Sequence, residues 1–385
     1  MSLRCDSVYP AGGRLLSIED VLRRFVENEH HINGLSRYSD LHLKVGEPIT
    51  YRYDGELHRM KDGAALTQAI CERLLFPLLK PKQIELLKAT PPADIDASWE
   101  WTDHLTNFRI NAFHDHDGLA AVIRVLPRTI PDIDRIGFSS ERVWREICHL
   151  NQGLVLVTGQ TGSGKSTTIA SLLNQINRTR RVRIITLEDP IEFLFKSDLA
   201  LFSQREINRH VGSFAQGLRS ALREAPDVIY VGEMRDPETT SLALSAAETG
   251  HLVISSLHTR DTKSAVTRIV DMFPPDRVRE ISIRLSISLH SVLGGKLIPR
   301  VGGGRILAME VLKNTPPMSH VIRSGAIHQI QSVIETGTKD GMNTLDHHLQ
   351  AILNQGLITR ENAFLAANDP LNFLPEEART TAGRK

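Results

Sequence analysis

The chain has 385 residues, 41% hydrophobic and 24% charged; at about 150 residues per domain this predicts two or three domains and excludes disorder over most of the length. Lys+Arg number 46 against 45 Asp+Glu, a net charge of +1, so composition points neither to a nucleic-acid wrapper nor to an acidic tail. Cys5, Cys71 and Cys148 are too widely spaced for a zinc knuckle or a disulfide framework and fit a reducing compartment. No apolar run approaches the ~18 residues of a membrane span, and no signal-peptide core opens the sequence. The expectation is a cytoplasmic protein that meets membranes only through partners and makes no direct nucleic-acid contact.

Residues 1–16 read as a loose leader. Residues 17–126 read as an α+β domain. Ser17 is placed as a helix N-cap, with Glu19 and Asp20 in the first turn and Ile18, Val21, Leu22, Phe25 and Val26 on one apolar face. The segments 40–45 and 49–53 alternate and lead into Asp54-Gly55, the pattern of a hairpin or meander. A helix from Thr67 to about Leu79 should be interrupted near Pro77, with further strands around Phe108–Phe113 and Ala120–Leu126. Residues 127–140, with two prolines and a glycine, read as an interdomain linker. From 141 to 370 the texture changes. Leu154–Val157, Ile184–Leu187, Val228–Val231 and Leu252–Leu257 are short apolar runs with helical stretches between several of them, which predicts an α/β domain around a largely parallel sheet. Beyond about Asp276 the chain reads as mostly helical, and 371–385 as a flexible tail.

Gly159-Gln160-Thr161-Gly162-Ser163-Gly164-Lys165-Ser166 fits the G-x-x-x-x-G-K-[ST] loop. It follows an apolar strand and opens a helix through Thr167 whose apolar positions Ile169, Leu172, Leu173 and Ile176 share a face. Such a loop curls its backbone N–H groups around phosphate oxygens at a helix N-terminus. Lys165 is expected at the β/γ-phosphates of ATP and Ser166 at Mg²⁺. Val228–Val231 leads into Gly232-Glu233, which places a carboxylate at a neighbouring strand end, where it can polarise an attacking water. Leu187-Glu188-Asp189-Pro190-Ile191-Glu192 is a second acidic strand end, with Glu188 the candidate for Mg²⁺ contact through water. His251 and His258 bracket the strand 252–257; His258 is expected near the γ-phosphate and His251 is a further nucleotide-site candidate. Asp236, Pro237 and Gly250 punctuate the preceding helix.

Taken together, GQTGSGKS, LEDPIEF, SQREI, FAQGLRSALREAPDVIYVGEMRD and AAETGHLVISSLHT resemble the bacterial secretion ATPase superfamily, most of all its PilT branch, the type IV pilus retraction motors. The likeness spans about residues 17–365 and includes YSDLHLKVGEPITYRYDGEL, FRINAF and VIRVLP in the first domain. The resemblance implies a RecA-like ATPase domain behind a smaller PAS-like α+β domain, ATP and Mg²⁺ as ligands, and a homohexamer acting on an inner-membrane pilus platform protein at the cytoplasmic face. It implies an Asp box carrying Glu188, a catalytic carboxylate at Glu233, and a His box of His251 and His258. It also implies that Arg109 and Arg124 close over the nucleotide phosphates, where guanidinium forks stabilise a transferring phosphoryl group. Three departures stand out. No tetracysteine site exists, which favours the PilT side. Ser319 replaces the first arginine of the AIRNLIRE pattern, and Ala225 replaces an acid of REDPD. A type IV secretion or conjugation ATPase, and a catalytically weak regulatory subunit of a pilus motor, stand as the alternative readings. His30-His31, His114 with His116, and His347-His348 have no third ligand at metal-binding spacing and read as polar surface. Gly302-Gly303-Gly304 reads as a tight loop.

Overall fold

The computed structural model describes residues 6–27, 31–32, 35–101, 106–126 and 129–374. The chain divides into two compact units, Met1–Thr129 and Ile130–Lys385.

In the first unit the leader is not loose. Strands β1 (Tyr9–Ala11) and β2 (Arg14–Leu16) form an antiparallel hairpin. The cause is apolar: Tyr9 is fully buried, and its hydroxyl accepts from the Ile49 N–H at 3.2 Å. Residues 1–5 lie outside the described residues. Ser17 caps α1 (Ile18–Leu22) in a capping box with Asp20. A short pair, β3 (His31–Ile32) and β4 (Leu35–Ser36), precedes a six-stranded antiparallel sheet. Its strands are β5 (Tyr38–Lys44), β6 (Thr50–Tyr53), β7 (Glu56–Arg59), β8 (Ile95–Trp101), β9 (Thr106–Asp115) and β10 (Gly118–Leu126), in the order β7-β6-β5-β10-β9-β8. Asp54 and Gly55, both at positive φ, make the two-residue turn between β6 and β7. Leu41, Leu43, Phe108, Ile110 and Ile123 turn to the core, which α2 (Gln68–Leu75) and α3 (Pro81–Leu87) complete. Thr67 caps α2, and Pro77 ends it in a single 3₁₀ turn. Strand β8 and helix α3 are additions to the sequence reading.

The second unit is a seven-stranded sheet built from β11 (Gly153–Thr158), β12 (Arg183–Glu188), β13 (Leu201–Glu206), β14 (Val228–Val231), β15 (Leu252–Leu257), β16 (Leu289–Pro299) and β17 (Arg305–Lys313). The order is β13-β12-β14-β15-β11-β16-β17; all neighbours are parallel except β16 and β17. Helices α4 (Glu141–His149), α5 (Lys165–Thr179), α6 (Phe214–Ala221), α7 (Pro237–Glu248), α8 (Thr262–Asp271) and α9 (Val278–Ser288) connect or flank the strands. Helices α10 (Pro316–Ser324), α11 (Ile330–Thr336), α12 (Leu345–Asn354) and α13 (Arg360–Ala366) follow. Asp236 Oδ1 accepts from Thr239 N at 2.8 Å, which starts α7 with Pro237 at its first position.

Several sequence expectations need correction here. The described region after Asp276 is mostly helical, as expected, but it also contains a strand pair that the sequence reading did not place. Strands β16 and β17 form a long antiparallel pair joined across Gly302–Gly304; much of this pair is buried on both faces, so no alternation marks it. Of the expected linker, Pro127 and Arg128 lie outside the described residues, and the remainder is docked. Ile133 and Ile136 are buried beside Val143 and Leu172, and Pro131 O accepts from Ser171 Oγ at 2.8 Å. The expected tail begins docked as well, with Phe373 buried against Leu345 and Leu349, while 375–385 lie outside the described residues. His348 is not polar surface: it is buried, and its Nδ1 accepts from Met309 N at 2.9 Å. His30 is outside the described residues, which contain no group of three or more potential ligands that could hold a metal. Cys71 and Cys148 are buried free thiols. Ala225 adopts φ +50°, a left-handed conformation that aspartate or asparagine tolerates better than alanine, which gives the family's acid at this turn a conformational reason. Among the described residues, no helix is long and apolar enough to cross a membrane.

Candidate nucleotide site

Because the six parallel strands run the same way, their C-terminal ends share one edge, where open α/β sheets bind ligands. Strand order then sets the neighbours. β11 ends in the glycine-rich loop, the adjacent β15 ends at His258, and the next strand, β14, ends at Gly232-Glu233. Residues 25 to 99 positions apart in sequence are thereby brought together.

The loop 159–164 is tightly built. A Cβ at Gly159, which has φ +148°, would stand 2.3 Å from Ser163 Oγ and 2.6 Å from the Gly295 carbonyl, so only glycine fits there. Gly164, at φ +92°, starts α5. Thr168 N donates back to Gly164 O at 2.9 Å. Lys165 is buried at the first helical position. Its Nζ donates to Gly159 O at 2.8 Å and Gln160 O at 3.0 Å, and lies 3.5 Å from His258 Nδ1. Burial pulls the Lys165 ammonium below its usual range, opposed by the negative charges of Glu233 and Glu192. Ser163 Oγ is buried without a hydrogen-bond partner. A cradle that excludes a side chain at Gly159, holds an ammonium and leaves a hydroxyl unpaired fits an anionic ligand rich in oxygen acceptors.

His258 continues the chain of contacts. Its Nε2 is 3.6 Å from Glu233 Oε2. Lysine can only donate, so the Nδ1 facing Lys165 is the acceptor and Nε2–H faces Glu233. Desolvation, then the charge of Lys165, lowers the His258 pKa against the opposing pull of Glu233; the ring is neutral at neutral pH and the contact with Glu233 is polar rather than an ion pair. Arg235 Nε donates to the same Glu233 Oε2 at 2.7 Å, and its NH1 lies 3.7 Å from Asp189 Oδ2. Glu233, with a side chain 17% exposed, is thus oriented from two sides while remaining open to solvent.

Glu188 ends β12, next to β14, and is buried. Its Oε1 accepts from Thr186 Oγ1 at 2.6 Å and Gln204 Nε2 at 3.1 Å. Desolvation pushes its carboxyl up to about 7, against the hydrogen bonds from Thr186 and Gln204. The folded pKa therefore exceeds the unfolded value of ~4.3, and the folded state holds the extra proton between the two. Its contribution to stability falls as pH rises from about 4.5 to 7. Glu188→Gln, melted without nucleotide or divalent ion, should gain Tm over the parent chain most strongly above pH 7 and little at pH 4.5. A Tm difference independent of pH would contradict this.

Not every candidate joins the site. His251 precedes β15 and His258 follows it, so one strand carries them to opposite edges of the sheet, ~20 Å apart at strand rise. His251 Nδ1 contacts Ala246 O at 3.1 Å, and its carbonyl accepts from Gly153 N at the far end of β11. This position takes His251 out of the nucleotide group formed by its own sheet. Arg109 and Arg124 belong to the first unit, where they are register partners on β9 and β10. Arg124 Nε donates to Asp40 Oδ1 at 2.7 Å, and Arg109 is 4.0 Å from Asp96 Oδ1. Arg109 is partly exposed, at 42%, and Arg124 is exposed, at 52%. Gln160, Thr161, Gly162, Ser166 and Thr167 lie within the loop and the first turn of α5. The sequence reading missed Thr186, Gln204 and Arg235; none has a motif of its own, although Gln204 sits in SQREI and Arg235 in GEMRD.

A parallel α/β sheet with this loop at one strand end and a carboxylate at a nearby strand end has the form of a RecA-like ATPase domain. The chain belongs to the type II/IV secretion system protein family, whose model matches residues 20–364. It is 42% identical over 335 residues to the type IV pilus retraction ATPase PilT of Pseudomonas aeruginosa, covering 87% of this chain and 96% of that protein. It is 46% identical over 271 residues to a twitching motility protein of Neisseria gonorrhoeae, covering 70% and 72% of the two chains. The crystal structure of the pilus retraction motor PilT with bound ADP matches with a TM-score of 0.77 at 39% identity, over 92% of this chain and 98% of that one. The ATPase DotB of Legionella pneumophila matches with a TM-score of 0.76 at 29% identity, over 85% and 91% of the two chains. The chain is therefore a secretion-type ATPase of the PilT kind.

Proposed function

We propose that this protein is an ATP-driven motor for type IV pilus retraction that works as a ring of six copies at the cytoplasmic face of the inner membrane, against a platform protein of the pilus machinery. The observation that carries the reading is the run of polar contacts from Lys165 to His258 (3.5 Å) to Glu233 (3.6 Å) along three adjacent strand ends. Lys165 and the loop amides grip the triphosphate. Glu233 takes the proton of the attacking water, and His258 reports the γ-phosphate by standing between the two. Ser166, and Glu188 through water, would hold Mg²⁺, for which their hard oxygen donors are suited. Magnesium bound by these residues would supply neutralising charge to the phosphates. Arg109 and Arg124 supply guanidinium groups to the transferring phosphoryl group. A mobile first domain bearing them couples closure to displacement.

Identity of 39–42% to PilT proteins against 29% to DotB favours retraction over a type IV secretion role. The complete Lys165, Glu188, Glu233 and His258 set argues against a catalytically weak subunit. Ser319 does not leave its position unpaired: its Oγ donates to Ser286 O at 2.9 Å at the end of α9. The purified full chain should hydrolyse ATP only with a divalent ion present and should scatter light as about six chains in the presence of nucleotide. A strictly monomeric mass at working concentration, or turnover without a divalent ion, would contradict the reading.

A further inference from the structure

Gln204 lies on the edge strand β13, in register with Thr186 of β12. Every hydrogen-bonding position of its amide is engaged except one acceptor lone pair. Nε2 donates to Glu188 Oε1 at 3.1 Å and to Phe193 O at 2.9 Å, and Oε1 accepts from Phe195 N at 2.9 Å. Glutamine alone has two donors and an acceptor at the end of a side chain of this length; glutamate loses both donors, and asparagine is one methylene short. The grip is reinforced by Thr186 Oγ1, so Glu188 Oε1 is held by donors from two strands. The charge of Glu192 acts on both the Glu188 carboxyl and the Lys165 ammonium.

We propose that Gln204 is a positioning residue: by tying the Glu188 carboxyl to the 193–195 backbone it sets the 189–192 turn and so aims the acidic strand end at the phosphate loop. The inference rests on the nucleotide-site reading above, in which Glu188 serves hydrolysis. Removing the amide should leave the loop that grips nucleotide intact while misplacing the groups that act on the reacting phosphate. Its signature is therefore a loss in kcat with KM and nucleotide affinity preserved.

The test uses the full-length chain with Gln204→Met, which keeps volume without hydrogen bonds, and Gln204→Glu, which keeps the acceptor for Phe195 N. Glu188→Gln and the double variant Glu188→Gln/Gln204→Met complete the cycle. Steady-state ATP hydrolysis gives kcat and KM, and fluorescence titration with a labelled ADP gives the dissociation constant. Gln204→Met and Gln204→Glu should each lower kcat by about 10–100-fold, with KM and ADP affinity within about twofold of the parent. Because both residues act through one carboxyl, the double variant should be no slower than the slower single variant. Parent-level kcat in both Gln204 variants while Glu188→Gln is slow would overturn the inference and leave the site reading standing. Multiplying losses in the double variant, or loss of ADP affinity, would overturn it as well, since the amide would then be acting elsewhere or merely holding the fold. Parent-level turnover in Glu188→Gln would sink the site reading itself, and this inference with it.

Discussion

Glu233→Gln should lower ATP turnover by about 10²–10⁴-fold and leave nucleotide affinity within a few fold of the parent. The substitution keeps the shape of the side chain and removes its capacity to take a proton. In the structure Glu233 stands at the end of β14, one strand from His258 and two from the phosphate loop, with Arg235 and His258 both directed at its Oε2. None of these contacts involves the loop 159–164, to which the proposed function assigns the triphosphate. Binding and turnover should therefore separate: labelled nucleotide should titrate normally onto a nearly inactive variant. Parent-level hydrolysis by Glu233→Gln would remove Glu233 as the base.

Arg109→Ala should depress turnover by about 10³-fold, with only a few-fold change in ADP affinity. A guanidinium that meets the phosphoryl group in the transition state lowers kcat when removed; one that binds the ground state raises KM instead. Arg109 and Arg124 sit directly opposite each other on β9 and β10, so two like charges share one sheet face. The buried Asp40 carboxylate takes Arg124 Nε at 2.7 Å, while among the described residues the Arg109 guanidinium has a contact of 4.0 Å, to Asp96. Arg109 is thus the less committed of the two and the more available to a phosphate. A pure affinity loss, with kcat unchanged at saturating ATP, would contradict a transition-state role.

The strand, loop and helix around Gly159–Ser166 are readable from sequence because they are contiguous, so one stretch of chain supplies the whole local geometry. Glu233 and His258 were readable as strand ends, since an apolar run of four to six residues followed by a polar residue marks the edge of a buried sheet. His251 shows the limit of that reasoning. Both histidines flank the same strand, and the polarity of a strand alone sends them to opposite edges. Gln204, Thr186 and Arg235 were invisible for a different reason. Their value comes from which strands lie side by side, and the order β13-β12-β14-β15-β11 has no local trace in the chain. Strands β16 and β17 were lost because much of the pair is buried on both faces and because β16 follows α9 without a break. Strand β8 had a signal: Ile95, Ala97, Trp99 and Trp101 alternate with Asp96, Ser98 and Glu100. The leader reads as loose, whereas the buried side chains of Tyr9 and Leu16 hold it as a hairpin.

A crystal structure of the full chain with magnesium and a nonhydrolysable ATP analogue bears most directly on the chemistry. The β- and γ-phosphates should lie in the loop Gly159–Ser166, with Lys165 Nζ moved from the Gly159 and Gln160 carbonyls onto phosphate oxygen. A water should lie within hydrogen-bond reach of Glu233, in line with the γ-phosphorus. An empty loop at saturating analogue, or Glu233 turned away from the γ-phosphate with no water between them, would contradict the assignment of this edge of the sheet as the site of hydrolysis.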